Sequence, residues 1–193
     1  MENNLHNNYL FKALDAYPYE LEKAAEALNY ALSYEPENVK ALCLMAKLQS
    51  EQLGNYETAK AYYEKALTVK TDYPDIYPDF IRLLVNNDDF VEAQKLIDFA
   101  MTIKGIDKAS IQLNQGYLHE VLSEFEKAED ALKEAKMFGL NNDFYYYVDE
   151  VIKRVTKKRE IKNNKNRTKE TVEKNDIENP KTNWFQNRLN NLL

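Results

Sequence analysis

Few residues in this chain could do metal or nucleophile chemistry. There are two histidines, His6 and His119, and one cysteine, Cys43. A metal site needs three or four converging ligands, and these three share no ligand spacing. Cys43 lies in the apolar run ALCLMA and reads as a small buried hydrophobe. His119 falls inside a helical stretch and reads as a packed structural histidine. No glycine-rich phosphate loop, zinc motif or nucleophile elbow occurs. The acidic pair Asp88-Asp89 falls in a turn, where carboxylates cap helices, and has no neighbour for acid–base work. This inventory predicts a non-enzymatic protein with no cofactor and no metal.

Binding features are more numerous. The run Tyr145-Tyr146-Tyr147 suggests base stacking, but successive helix residues point in different directions and cannot form one platform. Core packing and capping contacts are expected there instead. The stretch TKKREIKNNKNRTK (156–169) suggests nucleic acid. From Thr156 onward ten basic residues face five acidic ones, so this end carries +5. The whole chain is at −6, which leaves the remainder at −11, a poor surface for a polyanion. No nucleic acid or membrane partner is therefore expected.

The elements that position these residues follow from composition and period. Of 193 residues, 44% are hydrophobic, yet only four are glycine and five proline. That supports a real core and leaves too few turn residues for an all-β sandwich. No apolar run approaches the roughly 20 residues of a membrane span, and the start MENNLHNNYL has no signal-peptide pattern. A single cysteine fits a reducing, cytoplasmic setting.

The chain repeats. Ala24, Ala59, Ala93 and Ala128 form one column, and Ala31, Ala66, Ala100 and Ala135 a second. Leu28, Tyr63, Ile97 and Leu132 form a third, and Leu21, Tyr56, Phe90 and Phe125 a fourth. Within a unit the first three columns fall at i, i+4, i+7, one face of a helix. A second helical stretch precedes each, joined by turns at Leu53-Gly54-Asn55, Asn87-Asp88-Asp89 and Ser123-Glu124. Helix pairs repeating every 34–35 residues make a helical solenoid.

The segments GNYETAKAYYEKAL (54–67), DDFVEAQKLIDFAM (88–101), SEFEKAEDALKEAK (123–136) and, more loosely, ELEKAAEALNYALSYEPEN (20–38) resemble the second half of a tetratricopeptide (TPR) repeat of bacterial type. The resemblance implies an all-α, right-handed superhelix of antiparallel pairs over 5–160, with repeats near 5–38, 39–73, 74–108 and 109–142. A capping helix is expected over 143–160, with Phe144, Val148, Val151, Ile152 and Val155 as its apolar stripe. Lys157, Lys158 and Arg159 would sit at its C-terminus, favoured by the macrodipole. Residues 161–182 read as a polar flexible linker, and 183–193 (NWFQNRLNNLL) as a short apolar helical segment with Trp184, Phe185, Leu189 and Leu192 available for docking.

Local departures are also expected. The small column of the first helices holds Ala46, Ile81 and Gly116, and Ile81 should loosen or shift the third pair. Pro78 fits a helix capped by Asp75, or else marks a later start. Gly105 and Gly139 could close their helices in the left-handed conformation.

The resemblance further implies a protein-interaction module that takes a peptide or helix in a groove lined by the first helix of each pair. Those columns contain Lys40, Asp75 and Ser110; Leu44, Asp79 and Asn114; and Lys47, Arg82 and Tyr117. The candidate contacts are Lys40, Leu44, Lys47, Asp75, Asp79, Arg82, Asn114, Tyr117 and Val121. The lysine–asparagine–arginine carboxylate clamp of some TPR proteins is disfavoured, because Asp75 and Asp79 oppose the basic residues. The other readings are a client-specific chaperone for a secreted or exported protein, and a solenoid self-regulated or dimerised by its C-terminal segment.

Overall fold

The computed structural model describes the backbone of residues 3–178 and the side chains of residues 8–165. The described residues form nine α-helices and no strand. The pairs are α1 (Asn3–Ala16) with α2 (Leu21–Tyr34), α3 (Val39–Glu51) with α4 (Tyr56–Val69), α5 (Ile76–Asn86) with α6 (Phe90–Ala100), and α7 (Lys108–Val121) with α8 (Phe125–Phe138). The last helix, α9, spans Asn142–Glu178. The apolar segment carrying Trp184, Phe185, Leu189 and Leu192 lies outside the described residues, as does the side chain of His6.

The periodic columns are the core. Both alanine columns, the column of larger residues and the small column Ala46, Ile81 and Gly116 face into it, each alanine of the first two columns having at most 1% of its surface exposed. Helices meet where side chains are smallest, because crossing backbones can approach only there. At Gly116 a Cβ would come within 2.7 Å of Leu132 Cγ, so the α7–α8 crossing needs a glycine. Ile81 fills the corresponding place against the α6 helix. The α5–α6 pair is also the shortest of the four, at 11 residues each.

The turns within pairs share one conformation. Gly54, Asp88 and Ser123, one repeat apart, all adopt left-handed φ values, of 66°, 64° and 60°. Only glycine takes that conformation without steric cost, so Asp88 and Ser123 are held there by the helices on either side. The first pair turns through a cis Tyr17–Pro18 peptide instead. Gly105 is left-handed (φ 83°), but it lies in the turn beyond α6. Gly139 does not match expectation: it is extended (φ −65°, ψ 134°), and its missing side chain leaves room for the Phe144 ring.

Pro78 is the third residue of α5, where the backbone N–H would have no intrahelical partner. Asp75 occupies the N-cap position without a side-chain capping bond. Asp89, likewise at an N-cap, caps nothing with its side chain. Its carboxylate accepts from Tyr56 and from Lys60 (2.9 Å), and Lys60 also reaches Glu92 (2.6 Å), tying α4 to α6. Asn38 and Asp107 do cap α3 and α7 through side-chain oxygens.

The stripe Phe144, Val148, Val151, Ile152 and Val155 packs α9 on Phe125, Ala128 and Leu132. Two expectations about this end are corrected. The helix does not stop near 160 but continues to Glu178, through the stretch read as a flexible linker. Between 161 and 178 that stretch has few apolar residues, Ile161, Val172 and Ile177, but no glycine or proline, the first proline after Asn142 being Pro180. Helix propensity needs no apolar face, only the absence of breakers. Lys157, Lys158 and Arg159 are therefore in mid-helix and do not complement its C-terminus. Tyr145, Tyr146 and Tyr147 are 45%, 70% and 52% exposed and not packed in the core, though Tyr147 meets Tyr117 and Tyr145 lies under Lys136 as capping contacts.

Candidate protein-interaction groove

The first helices lie side by side, α1 on α3, α3 on α5 and α5 on α7, and so build one face. Its N-terminal half is charged but compensated. Tyr17 donates to Glu51 (2.5 Å), Arg82 reaches both Glu51 (2.6 Å) and Asp79 (2.8 Å), and Lys47 lies 3.5 Å from Asp79. This chain of alternating signs crosses from α1 to α5. Burial, and then the Glu51 carboxylate, push the Tyr17 hydroxyl up to about 12. Nearby, burial first and then Asp79 and Asp75 push the Cys43 thiol up to about 12, which keeps it protonated and inert.

The C-terminal half holds a cavity of about 230 Å³. Pro78, Asp79 and Arg82 on α5, Ser110, Leu113, Asn114 and Tyr117 on α7, and Tyr147 on α9 line it, and its two charges, Asp79 and Arg82, are paired with each other. The Tyr117 and Tyr147 hydroxyls are 2.5 Å apart, and the Arg154 guanidinium lies 5.9 Å from the Tyr117 ring centre. Burial and the Tyr147 hydroxyl raise the Tyr117 hydroxyl well above its ordinary value, so that phenol stays protonated. Phenol hydroxyls beside aliphatic carbon suit apolar or amide-bearing side chains, with hydrogen-bond donors at the rim.

Among the sequence candidates, Lys40, Asp75, Arg82 and Val121 are exposed, and Lys47, Asp79 and Tyr117 are half-buried. Two are not on the surface. Leu44 is only 8% exposed and packs with Leu10, Ala13 and Leu28 in the cluster of the first pair. Asn114 is 5% exposed, and its amide donates to the Pro78 carbonyl at 2.8 Å, fastening α7 to α5. Both follow from the docking of the neighbouring first helix over these positions, which column counting does not foresee.

Sequence reasoning also missed residues. Tyr17 and Glu51 belong to the groove without any signal in the sequence, and Tyr147, expected only as a packing or capping residue, joins them. Glu120 and Glu129 are nearly buried and hold α9 in place. Arg154 makes two bonds to Glu120 (2.9 and 2.7 Å) and Lys158 a third (2.7 Å), while Thr156 (2.8 Å) and Arg159 (2.9 Å) bind Glu129. Burial raises the Glu120 carboxyl, but Arg154 and Lys158 outweigh it, so its net shift is downward. The repeat carried a signal for this pair: Glu120 and Arg154 lie 34 residues apart, one period.

His119 bridges α7 and α8. Its Nδ1 lies 2.8 Å from Glu124, and the Gln115 amide nitrogen lies 2.8 Å from its Nε2. Among the described residues no group of three or more His, Cys, Asp or Glu side chains could hold a metal ion. No helix among them is long and apolar enough to cross a membrane.

No protein-family model matches the sequence, and no curated protein does. Solved structures do match. PilW, described as a widely conserved type IV pilus biogenesis factor, superposes with a TM-score of 0.63 at 21% identity, over 68% of this chain and 60% of that one. PilF of Pseudomonas aeruginosa gives 0.66 at 16% identity, over 81% and 74%. The thermophilic TPR protein TTC0263 of Thermus thermophilus gives 0.61 at 21% identity, over 69% and 74%. The chain has a tetratricopeptide-repeat fold. The TPR-like chain spans 60% of the length of PilW. At these identities the likeness is one of fold.

Proposed function

We propose that this TPR-like chain is a non-enzymatic interaction module that takes a peptide or helix against the face built by its first helices. The observation that carries the reading is the division of that face. Its N-terminal half is charged and internally compensated, and its C-terminal half is a cavity walled by Leu113, Tyr117 and Tyr147 beside the paired Asp79 and Arg82. A partner segment with apolar and amide side chains would bury them against the tyrosines. Its backbone or polar groups would compete for the side chains of Lys47, Asp79 and Arg82. Aromatic side chains and arginines of this kind dominate binding energy at interfaces. A cytoplasmic setting is part of the proposal, supported by the single, protonated Cys43.

The test is affinity capture with the full chain from its native cell, followed by titration of the captured partner in purified form. Tyr117→Ala, and separately the pair Lys47→Ala with Arg82→Ala, should each weaken binding about tenfold or more. The charge pairs are half exposed, so losing them should cost under about 1 kcal/mol of stability. Unchanged affinity in both variants would refute the groove as the binding face.

A further inference from the structure

Resting on the groove reading above, we infer that the groove's occupant is residues 183–193 of a second copy of this chain, so that the TPR-like solenoid assembles with itself by exchanging C-terminal segments. Chemistry and reach both lead there.

The chemistry is complementary. The segment NWFQNRLNNLL has five apolar residues, five uncharged polar ones and a single charged side chain, Arg188. Its Asn and Gln side chains donate and accept without charge. The cavity offers phenol hydroxyls at Tyr117 and Tyr147, aliphatic surface at Leu113, and the Asp79 carboxylate, for which Arg188 would compete with Arg82 and Lys47. Lys181 and Arg188 are basic, while the solenoid they would meet carries a large negative excess.

Reach decides between the chain's own groove and a neighbour's. Lys162 of α9 donates to the Ser123 carbonyl in the α7–α8 turn, which is the edge of the solenoid. From there α9 runs on to Glu178, about 24 Å of helix at 1.5 Å per residue. Tyr117 lies about 9 Å back from Ser123 along α7. Returning from Glu178 to the cavity thus takes about 33 Å. The six residues to Trp184 span about 20 Å even when fully extended. Trp184 and Phe185 cannot reach their own groove, and Leu189 reaches it only with the segment pulled straight. A helical segment presenting Trp184, Phe185, Leu189 and Leu192 on one side does not reach it at all. A neighbouring molecule's groove sets no such limit on the segment.

The experiment is sedimentation velocity of the full chain from about 1 to about 100 µM, with circular dichroism melting to verify each variant's fold. The intact chain should self-associate. Leu189→Asp and Tyr147→Ala should each raise the Kd of self-association about tenfold or more. Tyr147 is half exposed, so its truncation leaves the core intact. Mixing the two variants restores one undamaged groove and one undamaged segment, and a one-to-one complex should form that neither makes alone.

An intact chain that stays monomeric throughout overturns the inference, including the case in which Leu189→Asp shifts the emission of Trp184 without changing mass. That result leaves the groove reading to its own test, the captured partner. Self-association unaffected by Leu189→Asp would rule out the segment. Self-association sensitive to Leu189→Asp but not to Tyr147→Ala would put the segment's seat outside the groove.

Discussion

Glu120→Gln should loosen α9 from the solenoid, and the size of the effect can be worked from the geometry. Glu120 is 6% exposed in its side chain and accepts three bonds from two cations, at 2.7–2.9 Å. A hydrogen bond to a charged group contributes about 1.5–3 kcal/mol. Two considerations reduce the sum. Arg154 and Lys158 are each about half exposed, so they return to water when the carboxylate is lost. Glutamine also keeps one oxygen acceptor and avoids the cost of burying a charge. The expected loss is about 1–2 kcal/mol. For a chain of this size that lowers Tm by about 3–6 °C. Because a solenoid is stabilised mainly by neighbouring elements, the loss should concentrate at its end. Hydrogen exchange of residues 148–158 should accelerate before that of α3–α6. As a control, Lys153→Ala removes an exposed i, i+3 pair with Glu150 and should change neither readout.

The pH dependence gives a second constraint on the same residue. In the folded state the Glu120 carboxyl is held below its ordinary value. Its stabilising contribution is therefore complete above the unfolded pKa, near 4.3. It disappears as pH falls through the lower folded pKa. The stability gap between the parent and Glu120→Gln should thus be full at pH 7 and close in strong acid. Thermal melts at both pH values, read alongside exchange rates, measure it. Equal gaps at both, or unaltered protection of α9, would refute the assignment of Glu120 as the residue that holds this helix.

The other predictions are shorter. Gly116→Ala gains about 1 kcal/mol of helix propensity but drives a methyl into Leu132, an overpacking cost of about 1–3 kcal/mol. It should destabilise the parent by up to about 2 kcal/mol in urea titration, yet stabilise a Leu132→Ala background, where the clash is gone. Ser123→Gly relieves a left-handed φ of 60° and should stabilise the fold by about 0.5–1 kcal/mol, seen as a higher denaturation midpoint with unchanged slope. Cys43, with its thiol at about 12, should react with iodoacetamide at pH 8 about a thousandfold more slowly than a free thiol, and at the ordinary rate in denaturant.

Much of the fold was legible because solenoid repeats write their contacts at a fixed period. Alanine at Ala59 and Ala66 and tyrosine at Tyr63 already name one helix face, and the columns name its partners. The groove was legible only as a set of columns. Columns give the direction of a side chain but not what the next helix lays over it. Hence Leu44 and Asn114 read as contacts and are covered, while Tyr147, read as a packing or capping residue, is carried into the groove by the capping helix.

The sequence by itself determined the helix pairs, their period and the identity of the crossing residues, since these rest on local spacing and side-chain size. Only the tertiary structure decided which charges neutralise one another across helices, as in the run Tyr17–Glu51–Arg82–Asp79–Lys47. It also decided how far α9 continues past the core. Pairing between elements depends on distances of a few ångströms, and a Coulomb or hydrogen-bond contact at that range is set by how the helices dock, not by where their residues fall in the chain.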